Sequence, residues 1–186
     1  MAPHKDFGFI GRLSLDFAQT GDMGWGANYE RLTSVSELQR WLSLCSLQMS
    51  KVTITNDDLK QARNLRGAIW RVAEAVLAHK LPGAADVRTI NRRAVAANLE
   101  RELYGKVAAM RWHRPNIDAA LATIAQDAVN LFGDPRQRVR LRRCEHERCR
   151  IIFFDDSRPG LRRWCASNRC GDRTRAQAYR KRKKSF

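Results

Sequence analysis

Two short cysteine pairs near the C-terminus constrain this chain more than any other feature. Cys144-Glu-His-Glu-Arg-Cys149 and Cys165-Ala-Ser-Asn-Arg-Cys170 share a four-residue interior and stand 15 residues apart. They use four of the five cysteines in 186 residues. A lone pair of this kind is a weak signal, but two pairs bring four sulfurs to one point. Four thiolates suit a tetrahedral zinc ion. Free thiols or two disulfides are the competing readings. The segment Met1–Gly8 has no apolar signal region, so a cytoplasmic setting is expected, where thiols stay reduced and metal is preferred. The expectation is one structural zinc on Cys144, Cys149, Cys165 and Cys170. With four thiolates bound, no position is left for water, which argues against an enzyme at the metal.

Charge separates this region from the rest. The net charge is +16, from 35 Lys and Arg against 19 acids. Residues 136–186 hold 18 of the basic residues and 5 of the acids, a net of +13. Residues 1–135 hold 17 and 14, a net of +3. The break falls at Gly133-Asp-Pro135, a turn-forming cluster. Two units are therefore expected, 1–135 and 136–186. Basic excess of this size favours nucleic acid, with an acidic membrane surface second. No apolar run is long enough to span a bilayer, so no membrane partner is expected.

The first unit reads as mostly helical with a small antiparallel sheet. Leu13, Leu15 and Phe17 alternate with Ser14 and Asp16, the period of a strand. Gly21–Gly26 reads as a flexible turn. Ser34 or Ser36 can cap a helix through Cys45, a buried small thiol in this reading. Thr55–Asp58 opens a helix from Leu59 to about His79, striped with Leu65, Ala68, Ile69, Val72 and Val76. A third helix is expected from Ala85 to about Asn98 and a fourth from Asn116 or Ile117 to Phe132. Val107–Trp112 reads as a short strand, paired with the first. A polar set, Asp16, Thr20, Arg66 and Asn91, is a candidate pocket for a small-molecule effector. A buried structural ion pair, with Arg66 against Asp16, is the plainer reading of the same residues.

The second unit reads as a treble-clef-like finger: knuckle, hairpin, second knuckle, helix. Arg136–Arg143 is expected to extend into Cys144. Ile151, Phe153 and Arg162–Trp164 have strand character around a Pro159-Gly160 turn, with Phe153 and Trp164 as a small core. Arg148, Arg150 and Arg169 flank the cysteines and favour their thiolate form. A unit this small draws much of its folding energy from its metal. After Cys170-Gly171, Asp172 can cap a basic helix through Lys184, packed through Ala176, Ala178 and Tyr179. Such a helix suits a DNA groove. The candidate DNA contacts are Arg162, Arg163, Arg173, Arg175, Arg180 and Arg182.

These motifs resemble a known family. Cys-x4-Cys, Phe153-x-Asp155-x-Ser157-Arg158, Arg162-Arg-Trp-Cys165 and Cys170-Gly-x-Arg173 look like the CGNR zinc finger of bacterial proteins. There it follows an ABATE domain, to which Leu15-Asp-Phe-Ala-Gln-Thr20, Leu65-Arg66 and Ile90-Asn91 are similar. The chain departs at Asp172, where the name-giving motif has Asn, and at Gln19, again in place of Asn. The resemblance implies a stress-induced transcription regulator bound to double-stranded DNA. The expected partners are DNA, a second copy of the chain and a small effector, with a nucleoid-associated, cytoplasmic location. An RNA- or ribosome-associated protein, a protein-interaction finger, and an enzyme with an N-terminal active site are the alternatives.

Overall fold

The computed structural model describes residues 7–21, 30–49, 51–105 and 109–184. The Gly21–Gly26 turn, Gly21 apart, lies outside them, as does the start of the Val107–Trp112 segment.

The first apolar segment is a helix, α1 (Leu13–Ala18), and not the strand its alternation predicts. Ser14, Leu15, Asp16, Phe17 and Ala18 are all buried. Both apolar and polar faces are therefore covered, so alternation does not distinguish an inside from an outside over six residues. The polar face is satisfied by tertiary partners. Asp127 accepts from the Ser14 backbone N–H at 2.9 Å and its hydroxyl at 2.6 Å. Asp16 accepts from the Ile10 N–H at 2.6 Å.

The later helices begin where capping residues stand. Ser34 accepts the Glu37 N–H at the start of α2 (Val35–Leu44). Thr55 and Asp58 form a reciprocal capping box on α3 (Asn56–Leu77), satisfying donors that a helix start leaves open. α4 (Ala84–Ala94) follows Pro82-Gly83 and stops short of the expected Asn98. Asn116 caps α5 (Ile117–Gly133). α3 is the long central helix: Leu59, Ala62, Leu65, Ala68, Ile69 and Val72 are buried along it. α1, α4 and α5 pack against it. Trp41 and Phe17 are fully buried with ring centroids 5.0 Å apart. Each such aromatic removes enough apolar surface from water to contribute about 2–3 kcal/mol.

The small sheet is a hairpin, β1 (Glu100–Tyr104) against β2 (Ala109–His113), in antiparallel register from Glu100↔His113 to Tyr104↔Ala109. The strand expected within 107–112 thus pairs with its sequence neighbour and not with the first segment, which is helical. Asp134 then caps a single turn, α6 (Pro135–Arg138), with Pro135 in the first turn. Three of the eight residues of the Arg136–Arg143 run, 136–138, are therefore helical. Its remaining part, β3 (Leu141–Arg143), pairs antiparallel with β4 (Ile152–Phe154). This hairpin carries the first knuckle at its tip, where the Cys144 N–H donates to Ile151 at 2.9 Å. The expected strand at Arg162–Trp164 is an irregular segment tied to the knuckle by one backbone bond, Glu145 N–H to Arg163. A wide π-turn, Ser167–Gly171, leads into α7 (Asp172–Lys184). Among the described residues no helix is long and apolar enough to cross a membrane.

Candidate metal centre and nucleic-acid interface

The knuckles bring Cys144, Cys149, Cys165 and Cys170 together, with all four Sγ atoms within 4.8 Å of one another. The Cys149–Cys165 and Cys165–Cys170 sulfur separations are 3.8 and 3.7 Å. A tetrahedron with zinc–sulfur bonds of about 2.3 Å has an edge of about 3.8 Å, so the sulfurs fit zinc. They are far too distant for disulfides, and all four are free thiols. Without a cation the sulfurs cannot all ionise. Hydrogen bonds from the Cys149 and Cys165 thiols pull Cys144 well below the usual thiol range. Its thiolate in turn pushes Cys149 up to about 12 and raises Cys165, while burial raises Cys170. A dication at the centre removes that conflict by favouring thiolate at every position. The centre holds one structural zinc, which supplies a fixed tetrahedral crosslink between the two knuckles.

The surrounding polypeptide is built to hold these cysteines. Phe153 is fully buried beside Cys144, Cys165 and Cys170, with Ile10, Ile151 and Trp164 packed around them. Asp155 is fully buried and accepts from the Ser157 N–H and hydroxyl and from the Arg162 N–H, at 3.1, 2.6 and 2.8 Å. Burial alone would raise its pKa, but those hydrogen bonds and the Arg162 charge hold it below the usual carboxylate range. Asp155 therefore closes the loop that delivers Cys165. Gly171 lies against Trp164, where an added Cβ would come within 3.4 Å of the indole and 3.2 Å of the Arg175 guanidinium.

The six arginines read as DNA contacts fall into two groups. Arg162 donates to Asp156 at 2.6 Å and the Cys165 carbonyl at 2.9 Å, and lies over the Phe153 ring. Arg163 pairs with Glu145 at 2.6 Å and lies over Trp164. Arg175 pairs with Asp172 and also faces Trp164. These three are engaged within the finger. Arg173, Arg180 and Arg182 are exposed on α7. Arg173 and Arg180 line a groove of about 390 Å³ with His146, Glu147, Arg148, Gln177 and Lys181. Within that lining Gln177 donates to Glu147 at 3.0 Å. Two expectations for α7 need correction. Asp172 is helical and spends its carboxylate on Arg175, because the π-turn already begins the helix. Ala176, Ala178 and Tyr179 are exposed and not packed.

The family model ABATE, described as "Putative stress-induced transcription regulator", matches residues 11–135. The chain belongs to the ABATE family. A second model, the CGNR zinc finger, matches residues 140–183. Both are regulator and zinc-finger types, not enzyme families. A search of curated proteins finds no match.

Within the ABATE region the expected polar set does not converge. Arg66 makes a two-pronged pair with Glu30, both bonds 2.6 Å, and reaches the Thr20 carbonyl at 3.3 Å. It does not take Asp16, the partner read from sequence. The Thr20 hydroxyl donates to Phe17 at 2.7 Å, and Asn91 is exposed on α4. Burial opposes ionisation of Glu30, yet the Arg66 guanidinium holds its pKa below the usual value. Asp16 has no such cation. Burial pushes it up to about 7 against the Ile10 and Gly11 N–H groups, with Asp127 adding repulsion. Gln19 turns its amide back onto the Leu15 carbonyl at 3.0 Å. Cys45 is buried, and burial pushes its thiol up to about 11, consistent with an inert packing role.

Glu30, Asp127 and Ile10 carry roles that no local motif announces. The first two are single acids in otherwise ordinary contexts. Ile10 packs against both the finger core and the cluster beneath it, a role without a sequence signature.

Proposed function

We propose that this ABATE–CGNR protein is a zinc-dependent transcription regulator that binds double-stranded DNA. Residues 136–186 form the DNA-binding unit and residues 1–135 a sensing or dimerising unit. The observation that carries this reading is α7. It places seven Lys and Arg on 13 residues, with Arg173, Arg180 and Arg182 exposed and making no ion pair among the described residues. Cations left this close together repel unless an anion meets them, and a phosphate backbone is such an anion. Arg148 of the first knuckle lines the same groove as Arg173 and Arg180, which supports strand contact from both the knuckle and α7. Arg162, Arg163 and Arg175 support the platform from within the finger. This function places the protein on the nucleoid, and the family's description supports a stress-linked role.

The test is duplex binding by the full, zinc-loaded chain across a salt series. Affinity should fall steeply as salt rises. Removing residues 173–186 should weaken binding at least about tenfold and flatten the salt slope. Unchanged affinity after that truncation would reject α7 as the contact. Stronger binding to structured RNA than to duplex DNA would move the reading to an RNA-associated protein.

A further inference from the structure

The ABATE region carries only +3 net charge, yet one cavity concentrates cations. It measures about 690 Å³ and lies between residues 46–49 with Lys51 on one side and β2 on the other. Volumes of this size accept small organic ligands. Its apolar side comes from Leu47, Met49 and Trp112. The indole N–H donates to the Leu47 carbonyl at 2.6 Å, which locks the ring across the cavity. Lys51, Arg101, Arg111 and Arg114 supply four positive charges, and Glu102 is the one carboxylate in the lining. Arg111 and His113 already hold Glu102, each at 2.6 Å. Lys51 and Arg114 make no ion pair among the described residues, and Arg101 rests over the Trp112 ring at 4.7 Å.

Backbone geometry points to the same place. Among the described residues three that are not glycine have positive φ, and two of them, Gln48 at 52° and Arg114 at 39°, line this cavity. Left-handed backbone costs free energy in residues with a Cβ and gathers at ligand sites. The lining also takes every residue from Met110 to Pro115 in succession. Met110 to His113 belong to β2 and Arg114 and Pro115 follow it, so both faces of the strand's end border the cavity.

We propose that this cavity binds a small amphipathic anion, one sulfonate, phosphate or carboxylate group joined to a flat apolar body. The anionic group meets Lys51, Arg101 and Arg114, and the apolar body lies against Trp112 and Leu47. The site is separate from the Asp16, Thr20, Arg66 and Asn91 set and does not depend on the finger binding nucleic acid.

The probe is naphthalene-1-sulfonate, titrated into the zinc-loaded full chain with amide and indole shifts read by NMR. Phenyl phosphate and benzoate test which anionic group is preferred, and naphthalene-1-methanol is the uncharged control. Shifts should gather at residues 46–51, 110–114 and the Trp112 indole. Lys51→Gln with Arg101→Gln should weaken binding about tenfold, the loss of about 1.4 kcal/mol. Arg101→Lys, which keeps the charge, should retain most of it. Arg180→Gln with Arg182→Gln on α7 should leave it unchanged. Shifts confined to the finger, equal binding of the uncharged control, or response only to an acidic extended peptide would each overturn the proposal.

Discussion

Asp16 and Glu30 are both partly or fully withdrawn from water, yet they titrate in opposite directions. Glu30 has a guanidinium against it, whereas Asp16 has two backbone N–H groups and a second carboxylate nearby. A folded-state pKa of about 7 lies above the usual value of 3.8. The native chain then holds a proton that the unfolded chain releases. Its stabilising effect is full below the unfolded value and is lost as pH rises towards 7, by about 1.4 kcal/mol per pH unit at most. Asp16→Asn keeps an acceptor for the Ile10 N–H and removes the titration. The difference in unfolding free energy between the variant and the native chain should therefore grow in the variant's favour from about pH 4 to about pH 7, the window between the two values, and level off above it, as read by denaturant midpoints. A constant difference across that range would contradict the assignment.

At the scale of elements, the finger depends on short pieces that are not stable alone. β3 and β4 are three residues each, and the connection to Cys165 has no regular structure. Asp155 replaces that missing regularity with three hydrogen bonds from one buried carboxylate. Asp155→Ala leaves those donors unpaired and should cost about 2–3 kcal/mol of finger stability. The checks are faster amide exchange at Ser157 and Arg162 and weaker zinc retention against a chelator, with the helical region unaffected. Capping explains why most helices were legible beforehand. Ser34, Thr55 and Asn116 stand at starts that residue type announces. α1 was not legible, because its cap comes from Asp127, 113 residues away from Ser14.

For the whole molecule, the family matches divide the chain more cleanly than the packing does. Leu141 and Ile152 of the finger hairpin are buried with Leu15, Ala73 and Leu131 of the ABATE region. Arg143 pairs with Glu74 on α3 at 2.6 Å, and Arg12 lies over Phe154. Zinc therefore supports more than the finger. Stripping it with a chelator should lose the finger's structure and also lower the melting temperature of the helical region by several degrees, since a shared apolar cluster becomes exposed. Helical ellipticity on heating, with and without zinc, reads this directly. An unchanged melting temperature for the helices would mean that the cluster does not couple the two.

Local chemistry was enough for much of this protein. The cysteine spacing specified the metal centre, because ligand number and softness are properties of the residues themselves. Capping residues and apolar stripes specified α2, α3 and α5, because those signals act within a turn or two of chain. Tertiary structure decided what depends on distant partners. It made the Leu13–Ala18 segment a helix by burying both its faces, and gave Arg66 to Glu30 where sequence reading had offered Asp16. It also set Arg162, Arg163 and Arg175 to work inside the finger and left Arg173, Arg180 and Arg182 facing solvent. A basic residue carries its charge in sequence, but whether that charge is already matched depends on which acids the fold brings beside it.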